Sequence, residues 1–168
     1  MVKLKPKDFQ LLYELMKNAK RSDRQIAKIL GVSQPTVTRK RAMLEKEVID
    51  GYTVVPKWKR LGYEILAITL VKSQLKFASD EKMSNALKRS MEWLEKQPNV
   101  IMGSGCRGMG MTGVMISLHK NYAEFDEFLS SHREHLGELL EDVQTIVVNL
   151  SGKAFYRPLN FKYLAEAR

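Results

Sequence analysis

The stretch from Arg21 to Arg41 leaves this chain little conformational choice. Ser22 is a strong helix N-cap, and Asp23 follows at the positive end of the helix it starts. Ile26, Ala27 and Leu30 make one apolar stripe, and Gly31 comes directly after it, where a left-handed C-terminal residue belongs. Ser33 caps a third helix with Pro35 in its first turn, where the missing N–H costs little. Val37 and Leu44 are seven apart and face inward. Upstream, Phe9, Leu11, Leu12, Leu15 and Met16 recur at helical spacing behind Pro6. Ala27 is small where two helices cross, Gly31 permits the turn, and Val37 fixes the third helix against the second. Three short helices, the last two split by a tight Gly turn, predict a helix-turn-helix.

A wheel that turns Val37 and Leu44 inward puts Pro35, Thr38, Arg39 and Ala42 outward, flanked by Gln34 and Thr36. A helix of this size fits the DNA major groove, where Gln pairs with adenine, Arg with guanine, and Thr with either or with a thymine methyl. Ser22, Ser33, Lys40 and Arg41 are better placed for phosphates, and Arg21 joins the expected DNA-binding set. The plain alternative is a helical hairpin with a solvated cationic face. Charge distribution weighs against it. Residues 1–62 hold 15 Lys/Arg and 6 Asp/Glu, a net of +9, while residues 63–168 hold 13 of each. A field confined to one third of the chain attracts a polyanion.

Val48-Ile49, Gly51 and Tyr52–Val55 change the period and predict a short β-hairpin or extended wing, which closes a first domain over 1–55. Residues 56–62 look like a linker. From 63 to 152 the order is strand (65–71), helix (79–97, with Met83, Leu87, Met91 and Leu94 on one face), strands 100–106 and 114–118 around a Gly-rich turn, helix (121–140), strand (143–150). That is the βαββαβ order of a ferredoxin-like domain, so the fold class is α+β. Its sheet has helices on one face only, and the usual cover for the other is a second subunit. The tail, 153–168, holds Phe155, Tyr156, Phe161 and Tyr163 and is expected to dock on the second domain.

Asp8, Leu11-Leu12, Asn18-Ala19, Arg21-Ser22, Ile26-Ala27, Leu30-Gly31-Val32-Ser33, Thr36-Val37, Leu44-Glu45, Val48-Ile49, Gly51-Tyr52 and Leu61-Gly62 together resemble the pattern of the Lrp/AsnC (leucine-responsive regulatory protein) family. Over residues 8–62 the match is specific; beyond, it rests on the order and length of elements. The resemblance implies a sequence-specific transcription regulator with a winged helix-turn-helix. It implies dimers through the C-terminal sheets that assemble further into tetramers or octamers. It also implies a small effector, commonly an amino acid, bound between dimers near the loop Arg107, Gly108, Met109, Gly110, Met111, Thr112. Three positions depart from the family's pattern. Glu47 runs straight into Val48 without a glycine. Arg41 stands at a usually aliphatic place. Met111 replaces an aspartate.

Other signals point elsewhere and are weaker. Gly103–Gly108 fits G-x-G-x-x-G but ends a strand instead of opening a helix, so a dinucleotide site is not expected. His132, His135 and Glu138 lack the fuller ligand set of a metal site, and Cys106 lacks a neighbouring base. The methionines, Met102, Met109, Met111 and Met115 among them, suit an adaptable interface or pocket. Proteins similar to the family include sirohaem decarboxylases, which pair a degenerate helix-turn-helix with a haem-binding domain. The well-formed basic motif here argues against that enzyme, for which His119 is the residue to watch. A nonspecific chromatin-architectural protein is the third class. No catalytic residue, metal or cofactor is expected. Neither a membrane span nor a secretory leader is evident, and with a single cysteine no intrachain disulfide forms, so the expected compartment is the cytoplasm.

Overall fold

The computed structural model describes residues 3–74, 80–153 and 157–166. The chain divides into two compact units. The first comprises residues up to Val55 together with those from Arg157 on, and the second lies between them in sequence.

The first unit is built on α1 (Pro6–Lys17), α2 (Asp23–Leu30) and α3 (Gln34–Glu47). The ends of α2 are capped as the sequence calls for, whereas Ser33 precedes α3 without a side-chain cap bond, its Oγ lying 2.8 Å from Thr36 Oγ1. Ser22 Oγ accepts from the Gln25 N–H at 3.3 Å while Gln25 Oε1 accepts from the Ser22 N–H at 2.9 Å. Gly31 sits at φ 63°, and its N–H closes on the Ala27 carbonyl. Leu11, Leu15, Ile26, Ala27, Val37 and Leu44 form the core. At about 1.5–3 kcal/mol for each large aliphatic side chain, that burial is what makes three short helices stable together.

Two expectations are corrected here. Residues 48–55 form no strand, so the hairpin version of the wing is absent. Val54 and Val55 are exposed, and the segment is held by Tyr52, whose hydroxyl donates to Glu45 at 2.8 Å. A lone apolar stretch with no pairing partner in its own subunit has nowhere to place its backbone hydrogen bonds except water. The tail also goes elsewhere. A short helix α6 (Lys162–Glu166) packs on α1 in the first unit, not on the second domain, and its buried Ala165 is small enough to allow a close approach. Phe155 and Tyr156 lie outside the described residues.

The second unit begins at Pro56. Much of the expected linker is therefore folded: Trp58–Leu61 makes a 3-10 turn, and Trp58 meets Tyr63 edge-on at 5.7 Å. Four strands follow, β1 (Ile65–Ser73), β2 (Val100–Gly108), β3 (Met111–His119) and β4 (Leu140–Asn149), with α4 (Asp80–Glu95) after β1 and α5 (Tyr122–Leu136) after β3. The order is β2-β3-β1-β4, antiparallel throughout, so each helix crosses over a strand before its chain rejoins the sheet. This is the ferredoxin-like arrangement.

Cross-strand partners share a face. Ala67 pairs with Ser117 and Thr69 with Met115, and this face meets the helices, where Trp93, Met115, Phe128 and Leu136 are buried together. The opposite face presents Leu66, Ile68, Leu70, Val114, Ile116, Ile146 and Val148, all exposed or half-buried. On α4 the stripe Met83, Leu87, Met91 faces solvent, and Ala86 and Trp93 point inward instead. The indole of Trp93 decides this, because it packs on both Phe128 and His132.

Two histidines are buried in this core. His119 is enclosed by Phe125 and Phe128, and its Nε2 lies 2.8 Å from Ser117 Oγ. Burial holds its pKa below the ordinary 6.5, with Glu124 pulling weakly the other way. Burial does the same to His132, assisted by the positive charge of Arg133. Below pH 6.5 the unfolded chain takes up these protons before the folded one does. Stability of the second unit is therefore full above pH 6.5 and declines as pH falls below it. Denaturant melts between pH 8 and 5, followed by Trp93 and Trp58 fluorescence, check this; His119→Asn with His132→Phe flattens the decline.

Candidate nucleic-acid interface

The third helix buries only Val37 and Leu44. What else positions it is ionic. Lys40 pairs with Asp8 on α1, a carboxylate only 4% exposed. Burial alone pushes the Asp8 carboxyl up. The hydrogen bonds from Lys40 and from the Lys5 N–H outweigh that, so it is held below the ordinary carboxylate value. On the other flank, Arg41 Nε lies 2.7 Å from Asp23 Oδ1, and Arg41 Nη2 donates to the Arg21 carbonyl at 2.8 Å. Thr38 Oγ1 donates to the other Asp23 oxygen at 2.6 Å. Arg21 itself pairs with Glu14, which also holds Lys17 at 3.0 Å.

Several expected DNA-contacting residues are thus occupied inside the unit. Lys40 and Arg41, expected at phosphates, and Arg21, expected in the DNA-binding set, each pair with an acid of the same unit and stay partly exposed. The wheel that placed Val37 and Leu44 inward also places Lys40 and Arg41 at the margins of that stripe, where long cationic side chains find buried acids. Thr38 points outward, but its proton is committed to Asp23. Ser33 Oγ lies 2.8 Å from Thr36 Oγ1, and Ser22 spends its hydroxyl on its cap.

The remaining members are open. Gln34, Pro35 and Arg39 are exposed, and Arg39 makes no side-chain hydrogen bond or ion pair among the described residues. Beside them are cations that motif reasoning passed over. Arg24 and Lys28, four apart on α2, are exposed and likewise unpaired, as is Lys20 before the helix. Lys46 continues the outer side of α3. A wheel on α2 opposite Ile26, Ala27 and Leu30 would have found Arg24 and Lys28. The inner cations are cancelled by Asp8, Glu14 and Asp23, so the excess charge of the unit lies on its outside.

The second expected site, residues 107–112, is not a loop. Strands β2 and β3 run to Gly108 and from Met111, leaving a tight turn of Met109 and Gly110 at φ 50° and 77°. Arg107 and Met109 are exposed, Met111 is buried, and Thr112 Oγ1 accepts from the Ser73 N–H at 2.9 Å. The G-x-G-x-x-G string lies within β2, where a Cβ on Gly103 would press against Leu94 at 3.1 Å; its glycine serves packing. Among the described residues no three His, Cys, Asp or Glu side chains are grouped to hold a metal ion, and no helix is long and apolar enough to cross a membrane.

Comparison with known proteins agrees with this division. The model of the AsnC-type helix-turn-helix domain matches residues 6–45. The HTH-type transcriptional regulator LrpA of Pyrococcus abyssi is 41% identical over 64 residues, which are 38% of this chain and 45% of that protein. The chain spans about half the length of the curated relatives it matches. E. coli AsnC superposes with a TM-score of 0.71 at 18% identity, over 94% of this chain and 99% of its own. A transcriptional regulator of Neisseria meningitidis solved as an L-Met complex superposes with a TM-score of 0.77 at 16% identity, over 96% and 99%. At those identities the likeness is one of fold.

The two kinds of cation separate experimentally. Lys40→Ala leaves the Asp8 carboxylate buried without its partner and costs about 2–3 kcal/mol of stability in the first unit. Arg39→Ala stays within about 0.5 kcal/mol of the parent. Thermal melts of both variants measure this; a destabilised Arg39→Ala or a fully stable Lys40→Ala contradicts the assignment.

Proposed function

We propose that this chain, which carries the AsnC-type helix-turn-helix of the Lrp/AsnC family, is a sequence-specific transcription regulator that binds double-stranded DNA as a homodimer in the cytoplasm. One observation carries the reading: the outer side of α3 is free of packing duties and presents Gln34, Pro35 and the unpaired Arg39. Its N-terminal residues would lie at base edges of the major groove, Arg39 at guanine and Gln34 at adenine. Thr36 and Thr38 offer their methyls, and the exposed Arg24 and Lys28 would meet phosphates, which set position without reading sequence.

Dimerisation is proposed through the uncovered sheet face of Leu66, Ile68, Leu70, Ile116 and Ile146, a face of this size being costly to leave in water. Tetramers or octamers follow from further contacts between dimers. An amino-acid effector is proposed at the β2–β3 turn. The relative solved with L-Met supports that class of ligand. Arg107 would take the carboxylate, and Gly108, Met109 and Gly110 would close on the side chain; Met111 and Thr112 are used up within the subunit. The chain is not proposed to be an enzyme. His119, the residue to watch for a sirohaem decarboxylase, is 2% exposed and hydrogen-bonded in the core.

Selection from a randomised duplex pool is expected to return one two-fold symmetric motif, bound with an affinity that falls about 10³-fold or more between 50 and 200 mM salt. Recovery of the pool without enrichment would reduce the protein to a nonspecific architectural binder. Ile68→Asp is expected to give a monomer by sedimentation that binds only half-sites weakly; an unchanged dimer would place the interface elsewhere.

A further inference from the structure

We infer that Asp23 is a positioning residue for specificity: its carboxylate withholds Arg41 and the Thr38 hydroxyl from the duplex and so leaves readout to Arg39 and Gln34. This rests on the DNA-binding role of α3 proposed above. Asp23 is the first residue of α2, and both of its oxygens are spent on α3, one 2.7 Å from Arg41 Nε and the other accepting from Thr38 Oγ1 at 2.6 Å. Arg41 is held again by the Arg21 carbonyl, and its guanidinium also acts on the Tyr52 hydroxyl. Thr38 and Arg41 are three apart, one turn of α3, so a single carboxylate fastens that turn to the start of α2.

The consequence is a matter of which contacts discriminate. An unneutralised Arg41 adds attraction to any phosphate, and that attraction is equal for all sequences. A loosened α3 weakens only the complex that depends on exact register of base contacts. Asp23 therefore suppresses nonspecific binding and supports specific binding with one group. It also accounts for an arginine at a place where an aliphatic side chain would fill the core edge: the arginine is tolerated because its charge is cancelled at once.

The test compares the salt dependence of binding for the full-length parent, Asp23→Ala, Arg41→Met and the double variant, each on a duplex selected from the random pool and on its scrambled counterpart. Asp23→Ala is expected to bind the scrambled duplex about 3- to 10-fold tighter. Its slope of log K against log salt steepens by about 0.9, one phosphate's worth, and its preference for the selected duplex falls about 10-fold. Arg41→Met alone keeps the parental slope, because the cation it removes was not engaged, and in the double variant the slope returns to the parental value. A slope that flattens by about 0.9 in Arg41→Met shows that Arg41 already touches phosphate and overturns the inference. So does an unchanged slope in a folded Asp23→Ala. Should Asp23→Ala fail to fold, Arg41→Met decides by itself. If the parent shows no preference among duplexes, the proposed sequence readout fails, while the slopes still judge the role of Asp23.

Discussion

Two carboxylates hold the third helix in place, and the use of that helix depends on them. A helix that buries only Val37 and Leu44 over fourteen residues is weakly anchored by apolar contact. Asp8 takes Lys40 from the side of α1, and Asp23 takes Arg41 and Thr38 from the side of α2. Partly buried pairs of this kind contribute little net stability over an apolar substitute, but they do set one orientation, since each partner left alone would be a costly buried charge. Apart from the Thr38 hydroxyl, anchoring is done at the margins, and Gln34, Pro35 and Arg39 on the outer side of α3 stay exposed.

The same arrangement sorts the charge of the head. Cations that face inward meet acids and vanish from the external field. Those that face outward, Lys20, Arg24, Lys28 and Arg39, have no partner among the described residues. The net of +6 over residues 1–55, from 12 Lys/Arg and 6 Asp/Glu, is thereby carried on the outside of the unit. The second unit has a net charge of only +1, from 13 Lys/Arg and 12 Asp/Glu, and spends its residues on a sheet with one face packed beneath α4 and α5. Its other face is aliphatic and is left exposed or half-buried.

Much of this was legible from local pattern. Ser22, Gly31, Ser33 and Pro35 announce the ends of α2 and α3, because caps and left-handed turns depend on residues within four positions of each other. The βαββαβ order followed from period alone. The misreadings share a cause. The acid partners of Lys40 and Arg41 went unseen because Asp8 and Asp23 are 32 and 18 positions away, beyond any local window. Met83, Leu87 and Met91 looked like a core stripe until Trp93, on a neighbouring arc of α4, took the inward place by packing on Phe128 and His132. The wing lacked the pairing partner that a strand needs, and α6 found α1 across most of the length of the chain.

By itself, then, the order of residues determined the helices, their caps, the alternation of strand and helix and the side of the chain that carries positive charge, since each of these is set by neighbours a few bonds apart. Which cations remain free, whether residues 107–112 are loop or strand, and where the C-terminal helix rests were settled only in three dimensions. Those outcomes depend on groups far apart in sequence competing for the same buried partner, and the competition is decided by distance in space and by the cost of leaving a charge or a ring without one.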